Sequence, residues 1–247
     1  MDIPHRQELK PHTLLDEDSR YKKAKKIHAI INNFDEIKNN TFLEVGTGSG
    51  FIAAYFTNFF LEVNSVDVRD QRQTQKDIRF RQIDGTKLPF PDNYFDLVVS
   101  NHVIEHVGNR ESQIEHLKEI FRVMKKEGIF YLAFPNKWRL IEPHYKLPLL
   151  SWFSSFYSDL YVRLSGKAEF YDCRPLSRSD ALAILQSAGL NPHEVTLDAI
   201  RIYAKLESDN RFVKILASLP TLCFIPFKPW ISTLIFVCRK DPRNSIQ

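Results

Sequence analysis

The 247-residue sequence predicts an α/β protein, a doubly wound and mostly parallel sheet with helices on both faces. Two observations carry this expectation. Short apolar runs alternate with longer segments whose apolar residues recur at helical spacing. The first of these runs ends in "VGTGSG", a glycine loop placed where such a fold passes from strand to helix.

The elements follow in order. Residues 1–19 are polar, contain Pro4 and Pro11, and read as an N-terminal arm without the apolar stretch of a signal peptide. "SRYKKAKKIHAIINNF" reads as a helix that Ser19 would cap, with Tyr21, Ala24, Ile27, Ile31 and Phe34 at helical spacing. "TFLEV" is a strand, "FIAAYFTNFF" the next helix, and "LEVNSVDV" a second strand ending near Asp67. "RFRQIDG" and "FDLVVSN" read as the third and fourth strands. A helix over "ESQIEHLKEIFRVMKK" then leads through Glu127-Gly128 into the strand "IFYLAFPN".

After Asn136 the alternation stops. Residues 137–178 are aromatic-rich and irregular, as a lid over a site would be. "SRSDALAILQSAGL" resumes as a capped helix ending at Gly189. "HEVTLDAIRIYAK" and "STLIFVCRK" are two further strand candidates. The chain therefore divides into an arm (1–19), a core (20–136), a lid (137–178) and a C-terminal part (179–247) of one domain.

Composition narrows the functional classes. Apolar residues make up 43% and aromatic residues 13%, enough for a substantial core and against global disorder. A net charge of +4 permits an anionic partner without requiring one. Cys173, Cys223 and Cys238 are scattered and form no C-x-x-C pair, against a disulfide framework or a cysteine-only zinc site.

The glycine loop carries the first chemistry. A sharp strand-to-helix turn needs residues that tolerate positive φ, and backbone pressed against a ligand leaves no room for Cβ. Asp67 ends the next strand about 20 residues on, where a carboxylate can hold ribose hydroxyls. The dinucleotide pattern is G-x-G-x-x-G, whereas this loop reads E-x-G-x-G-x-G. Glu44 would be unhelpful beside a pyrophosphate but suits a ligand with an ammonium and a sulfonium.

At these residues the chain resembles the class I S-adenosylmethionine-dependent methyltransferases of the small-molecule type, with their Rossmann-like fold. "LEVGTGSG", "VNSVDV", "QIDGTKLPFPDNYFDLVVSNHVIEHV" and "HLKEIFRVMKKEGIFYLAFPN" resemble four of their motifs in order, over roughly residues 20–136. "KKEG" departs from the usual Pro-Gly-Gly turn. The resemblance implies seven strands with the last antiparallel, S-adenosyl-L-methionine as cofactor and S-adenosyl-L-homocysteine as product. It also implies that Gly46, Thr47 and Gly48 approach the methionine part, with Glu44 supporting the loop. Asp67 would bind the ribose and Val68 pack on adenine. Asp84 and the Gly85 N–H would meet the adenine edge, and Asn101 would lie beside the methionine. Arg20-Tyr21 resembles a pair that in some relatives covers the cofactor carboxylate.

Methyl transfer from a sulfonium is an in-line displacement, so placing the acceptor matters most, and a base matters when the nucleophile is protonated. His102, Glu105 and His106 follow the fourth strand at i, i+3 and i+4. A base, a structural turn and a metal site all remain open there; no metal is the expectation, His102, Glu105 and His106 being the alternative. "IEPHYKLPLLSWF" offers His144 and Tyr145 as base or orienter, or else a lid packed on its own aromatics.

The acceptor is expected to be small and hydrophobic or amphipathic, with an O, N or C nucleophile. Leu216–Cys238 contains one charge, Lys228, but Pro220, Pro226 and Pro229 argue against a spanning helix. The lid and this tail would line an apolar acceptor site or rest on a membrane, and equally they would form a mini-core or dimer contact. A cytoplasmic protein with membrane association, monomeric or homodimeric, is expected. No nucleic-acid partner is expected, because the basic stretches "YKKAKK" and "RDQRQTQKDIRFR" come without a recognised RNA-binding module. The alternatives are a nucleic-acid methyltransferase or a catalytically silent cofactor-binding partner subunit.

Overall fold

The computed structural model describes residues 16–241 except positions 37, 39, 207 and 209. Most of the expected arm, residues 1–15, lies outside the described residues. Its last residues do not behave as an arm, because α1 (Glu17–Phe34) starts there. The cap is Asp16, whose carboxylate accepts from the Ser19 N–H at 3.0 Å. Ser19 is thus inside the first turn, and the acidic residue is the better acceptor for orphan N–H groups at the positive end of the helix.

The core follows as β1 (Thr41–Val45), α2 (Phe51–Phe56), β2 (Glu62–Asp67), β3 (Arg79–Gln82), β4 (Phe95–Asn101), α3 (Arg110–Val123) and β5 (Met124–Pro135). Helix α3 stops three residues short of the expected Lys126. Met124 instead pairs with Phe95, and the ladder shifts register between Phe95 and Leu97. A Cβ on Gly128 would lie 2.7 Å from Met124 Cγ and 2.9 Å from the Phe95 carbonyl. Glycine is required there by close approach, which explains why "KKEG" serves in place of a turn with more glycine.

The lid contains a short antiparallel pair, β6 (Ile141–Glu142) and β7 (Leu147–Pro148), a 3₁₀ turn at Leu150–Trp152 and α4 (Ser155–Leu164). The C-terminal part comprises α5 (Arg178–Ser187), β8 (Leu190–Glu194), α6 (Thr196–Leu206), α7 (Arg211–Ser218), a 3₁₀ stretch at Thr221–Trp230 and β9 (Thr233–Lys240). The expected strand "HEVTLDAIRIYAK" is corrected: only its first two residues lie in β8, and the rest is mostly α6. Thr196, Ala199, Ile202 and Ala204 are its buried residues, the first three a helical stripe that the β-branched residues obscure in sequence.

The seven-stranded sheet has the order β3-β2-β1-β4-β5-β9-β8. β1 to β5 pair in parallel, and β9 runs antiparallel to both β5 and β8. Alternate strand residues face opposite sides. Leu43, Val98, Phe130 and Leu132 pack with Leu117, Ile120, Ile184 and Leu185 of α3 and α5. Phe42, Leu97, Val99 and Tyr131 pack with Ala24, Ile27, Phe56, Ala199 and Ile202 of α1, α2 and α6. Both faces are covered, as a parallel sheet requires. The strand order reverses between β1 and β4, and in open α/β sheets ligands bind in the crevice at such a point.

Candidate active site

The β1–α2 loop fills that crevice. Gly46, Gly48 and Gly50 all have positive φ. At Gly46 (φ +83°) a Cβ would also stand 2.2 Å from Val103 Cγ2, so any side chain is excluded twice. The Gly46 and Thr47 N–H groups donate to the Val66 carbonyl, and the Thr47 hydroxyl does so at 3.0 Å. The loop is thereby stitched to the end of β2, where Asp67 Oδ2 accepts from the Gly48 N–H at 2.9 Å.

Glu44 lies beneath the loop and is buried. Its Oε2 accepts from the Ala53 N–H at 3.1 Å. Burial pushes its carboxyl up to about 8, against the opposing pull of that N–H and of Arg20. Arg20 is itself desolvated, which lowers its pKa, while the Glu44 charge partly offsets the fall. The Tyr21 ring sits 6.2 Å from the rings of Phe51 and Tyr55, so α1 carries both Arg20 and Tyr21 to the rim of the loop.

Val68 is 41% exposed beside Asp67, an apolar side chain held open at a strand end. Asp84 and Gly85 follow β3 and are exposed. Asn101 closes β4 and is partly buried. Gly46, Gly48, Asp67 and Val68 are therefore held together at the ends of β1 and β2, with Glu44 and Thr47 buried beneath them and Tyr21 of α1 near Phe51 of α2.

Across the crevice the chain turns after β4. His102 has φ +60° and its N–H donates to the Ala133 carbonyl at 2.8 Å, which places the turn on β5. Ile104–His106 forms a single 3₁₀ turn. His102 Nδ1 lies 3.4 Å from Glu105 Oε1, and the Glu105 carboxylate is buried with neither oxygen receiving a hydrogen bond. His106 faces the lid, its Nδ1 3.8 Å from Cys173 Sγ and its ring 6.0 Å from that of His144.

Within the lid, Glu142 is fully buried. Its Oε1 accepts from Arg139 Nη2 and lies 2.9 Å from His144 Nδ1, and its Oε2 accepts from the Tyr145 N–H at 2.7 Å. The Glu142 hydrogen bond holds the His144 imidazole above its usual range, outweighing desolvation. Tyr145 is buried in a small lid core with Leu150 and Val162, and its hydroxyl donates to Asp172 at 2.9 Å. Burial and Asp172 push its phenol well above the ordinary range, which suits fixing the lid rather than accepting a proton. The post-β4 turn and the lid meet where the Arg174 N–H donates to the Glu105 carbonyl at 2.8 Å. Gln113, buried on α3, bridges the Ile104 and Arg174 carbonyls.

The structure thus brings His102, His106 and His144 to one junction and turns Tyr145 into the lid core. Sequence reading missed Arg139, Glu142, Asp172 and Cys173. The Glu-x-His spacing of "IEPHY" was a usable signal for Glu142; nothing local marks Cys173, which reaches the junction only through the folded lid.

The chain is similar to known methyltransferases in sequence over its core and in fold over most of its length. Residues 43–132 match the family model described as a methyltransferase domain. A ubiquinone/menaquinone biosynthesis C-methyltransferase of Chromobacterium violaceum is 31% identical over 123 residues, 49% of this chain and 43% of that protein. An uncharacterized methyltransferase of Bacillus subtilis is 28% identical over 101 residues, 37% of this chain and 39% of that one. The chain spans about two fifths of the length of these relatives. An S-adenosylmethionine-dependent methyltransferase structure from Mesorhizobium loti shares the fold with a TM-score of 0.59 at 13% identity, covering 91% of this chain and all of that one. A methyltransferase–activator complex from Haloferax volcanii has a TM-score of 0.54 at 20% identity, covering 91% of each chain.

The seven-stranded α/β sheet is the fold these methyltransferase structures share with this chain. Over its core the chain is similar to S-adenosylmethionine-dependent methyltransferases, residues 43–132 matching a methyltransferase domain, and S-adenosylmethionine is the cofactor this similarity implies. The residues present fit such a group chemically: the Asp67 carboxylate could hold ribose hydroxyls, Val68 beside it is an exposed apolar side chain, and Glu44 is a buried carboxylate beneath the loop.

Proposed function

We propose that this chain moves the methyl group of S-adenosylmethionine to a nucleophile on a small amphipathic acceptor. The observation that carries this reading is the contact between the glycine loop and the turn after β4: Gly46 abuts Val103, which lies between His102 and His106, and His106 meets His144 and Cys173 of the lid. Bound in the crevice, the cofactor supplies an electrophilic methyl group on a sulfonium. The residues of the chain orient: Asp67 and Glu44 would fix the ends of the crevice, and the lid borders the junction through His144 and Cys173. His106 or His144 is the group to receive the acceptor's proton where the nucleophile carries one, while Glu142 orients the His144 ring. His102, tied to Glu105, orients the turn. Among O, N and C nucleophiles, the quinone-biosynthesis C-methyltransferase relatives favour carbon on an amphipathic ring.

The apolar surface supports an amphipathic acceptor delivered from a membrane. A groove of about 390 Å³ on the lid is lined by Leu149, Phe153, Tyr157, Leu160 and Leu164, among others. In the tail, Phe212, Ile215, Leu222, Ile225, Phe227 and Trp230 are all exposed. No single helix among the described residues is long and apolar enough to cross a membrane, and the α7 and Thr221–Trp230 pair bends by 110°. Such a bent apolar pair suits lying in the interface plane rather than spanning.

The test is S-adenosylhomocysteine formation by the purified chain with a lipid extract and with an aqueous metabolite extract of cells, read by mass spectrometry. Turnover with the lipid extract supports the reading. Turnover with the aqueous extract alone overturns the amphipathic acceptor. Cofactor binding without turnover on either extract overturns catalysis in favour of a silent binding subunit.

A further inference from the structure

We propose that Glu142, His144 and Cys173 of the lid, joined by Glu105 from the turn after β4, form a binding site for a divalent cation, with zinc the favoured ion. One ligand atom from each of Glu142, His144 and Cys173 lies within 4.8 Å of the other two. Three chain segments distant in sequence converge here: the 3₁₀ turn after β4, the β6–β7 pair, and the stretch leading into α5.

Glu105 is the independent sign that a ligand belongs here. It is 1% exposed, neither carboxylate oxygen receives a hydrogen bond, and His102 Nδ1 stands 3.4 Å from Oε1. A buried carboxylate in that condition is costly unless something compensates it. Its charge acts on both His144 and Cys173, so it faces the same junction. Glu142 and Asp172 add two more carboxylates, against one buried guanidinium, Arg139. The Arg139–Glu142–His144 network accounts for Glu142, but it gives neither Glu105 oxygen a hydrogen bond.

The donor set decides the ion. Sulfur, imidazole nitrogen and carboxylate oxygen together suit zinc, whereas magnesium and calcium select oxygen alone. Bonds of about 2.0–2.3 Å to a tetrahedral centre require the ligand atoms to draw in by about 1 Å. Binding converts the Cys173 thiol to a thiolate and releases its proton to solvent; no oxidant or reductant takes part. The ion would lock the lid to the post-β4 turn and so fix the roof of the acceptor pocket. This inference does not depend on the methyl-transfer reading.

The test uses the full chain, stripped with a chelator and titrated with Co²⁺ and with Zn²⁺. One equivalent of Co²⁺ should give a near-ultraviolet thiolate charge-transfer band, and Zn²⁺ should displace it and raise the melting temperature by several degrees. Cys173→Ser should abolish the band and weaken Zn²⁺ at least tenfold, while Cys223→Ser, at an exposed thiol, should change neither. Glu105→Gln keeps the thiol and relieves the buried charge. It should melt no lower than the parent yet lose the zinc-dependent rise, which decides the matter even where Cys173→Ser does not fold. Absence of stoichiometric binding, a band surviving Cys173→Ser, or an undiminished zinc effect in Glu105→Gln would each overturn the proposal.

Discussion

The Gly48 N–H donates to Asp67 Oδ2 at 2.9 Å, while Asp67 Oδ1 accepts from the Arg69 N–H at 3.3 Å. One carboxylate thus ties the tip of the glycine loop to the end of β2, the position from which the proposed function has it hold the ribose. Asp67→Ala should weaken S-adenosylmethionine binding by about 10–100-fold, the loss expected when hydrogen bonds to an ionised acceptor disappear. Asp67→Asn, which keeps one acceptor oxygen, should lose less. Isothermal titration calorimetry on both variants checks this, with circular dichroism confirming that the fold is retained. Equal affinity in Asp67→Ala and the parent would remove Asp67 from the site.

Glu44 offers a test through protons. Its carboxyl, pushed up to about 8 by burial, is mostly protonated near pH 7 in the empty crevice. A cationic ligand nearby favours the ionised form and lowers that pKa, so binding near pH 7 should release up to one proton. Affinity should therefore rise as pH rises toward 8. Calorimetry in two buffers of different ionisation enthalpy measures the release directly, and Glu44→Gln should abolish it. Buffer-independent heats in the parent would separate Glu44 from the ligand's charge.

The core was legible because its signals are local. "TFLEV" and "FDLVVSN" are β1 and β4 to the residue, since a strand buried on both faces reads as a continuous apolar run bounded by turns. Glu44 and Asp67 could be read because the loop fixes their spacing. The junction was half legible: His102, Glu105 and His106 are adjacent in sequence, but their partners Cys173 and Glu142 arrive through tertiary folding. α6 was misread because Ile200, Ile202 and Tyr203 suit either structure, and only packing against β9 and α1 decides for the helix.

Gly46 and Val103 couple the two halves of the site. Gly46→Ala combines left-handed strain with a 2.2 Å clash against Val103 Cγ2 and should cost about 2–4 kcal/mol of stability. Adding Val103→Ala removes the clash but not the strain, so the double variant should recover roughly half of the loss. Denaturant unfolding of the parent, both single variants and the double gives the coupling. Strictly additive effects would show that the loop and the post-β4 turn relax independently.

His116 on α3 makes stability depend on pH. It is buried, and desolvation lowers its pKa from 6.5 to about 4. The unfolded chain takes up a proton near pH 6.5 that the folded chain refuses until about pH 4. The neutral histidine's contribution is therefore fully present above pH 6.5 and is lost as pH falls toward 4, by up to about 3 kcal/mol. His116→Leu should flatten the melting profile across that window without a matching change at pH 8. A parallel fall in both proteins would assign the acid sensitivity to other groups.

The tail carries the last prediction. Phe212 and Ile215 of α7 are 65% and 62% exposed, and Leu222 and Phe227 beyond it are 76% and 64% exposed. Glutamate at such positions leaves the core untouched, so Phe212→Glu with Phe227→Glu should alter unfolding stability by no more than about 1 kcal/mol. On a membrane surface the same side chains would contribute most of the apolar burial, at about 1.5–3 kcal/mol each when fully covered. The double variant should then lose at least tenfold in vesicle partitioning. Arg211, Lys214 and Lys228 stand beside these residues, so vesicles containing anionic lipid should bind the parent more tightly than neutral ones, and added salt should erase the difference. A dimer contact through this face predicts something else: the parent sediments as a dimer without lipid, the double variant as a monomer, and neither pellets with vesicles.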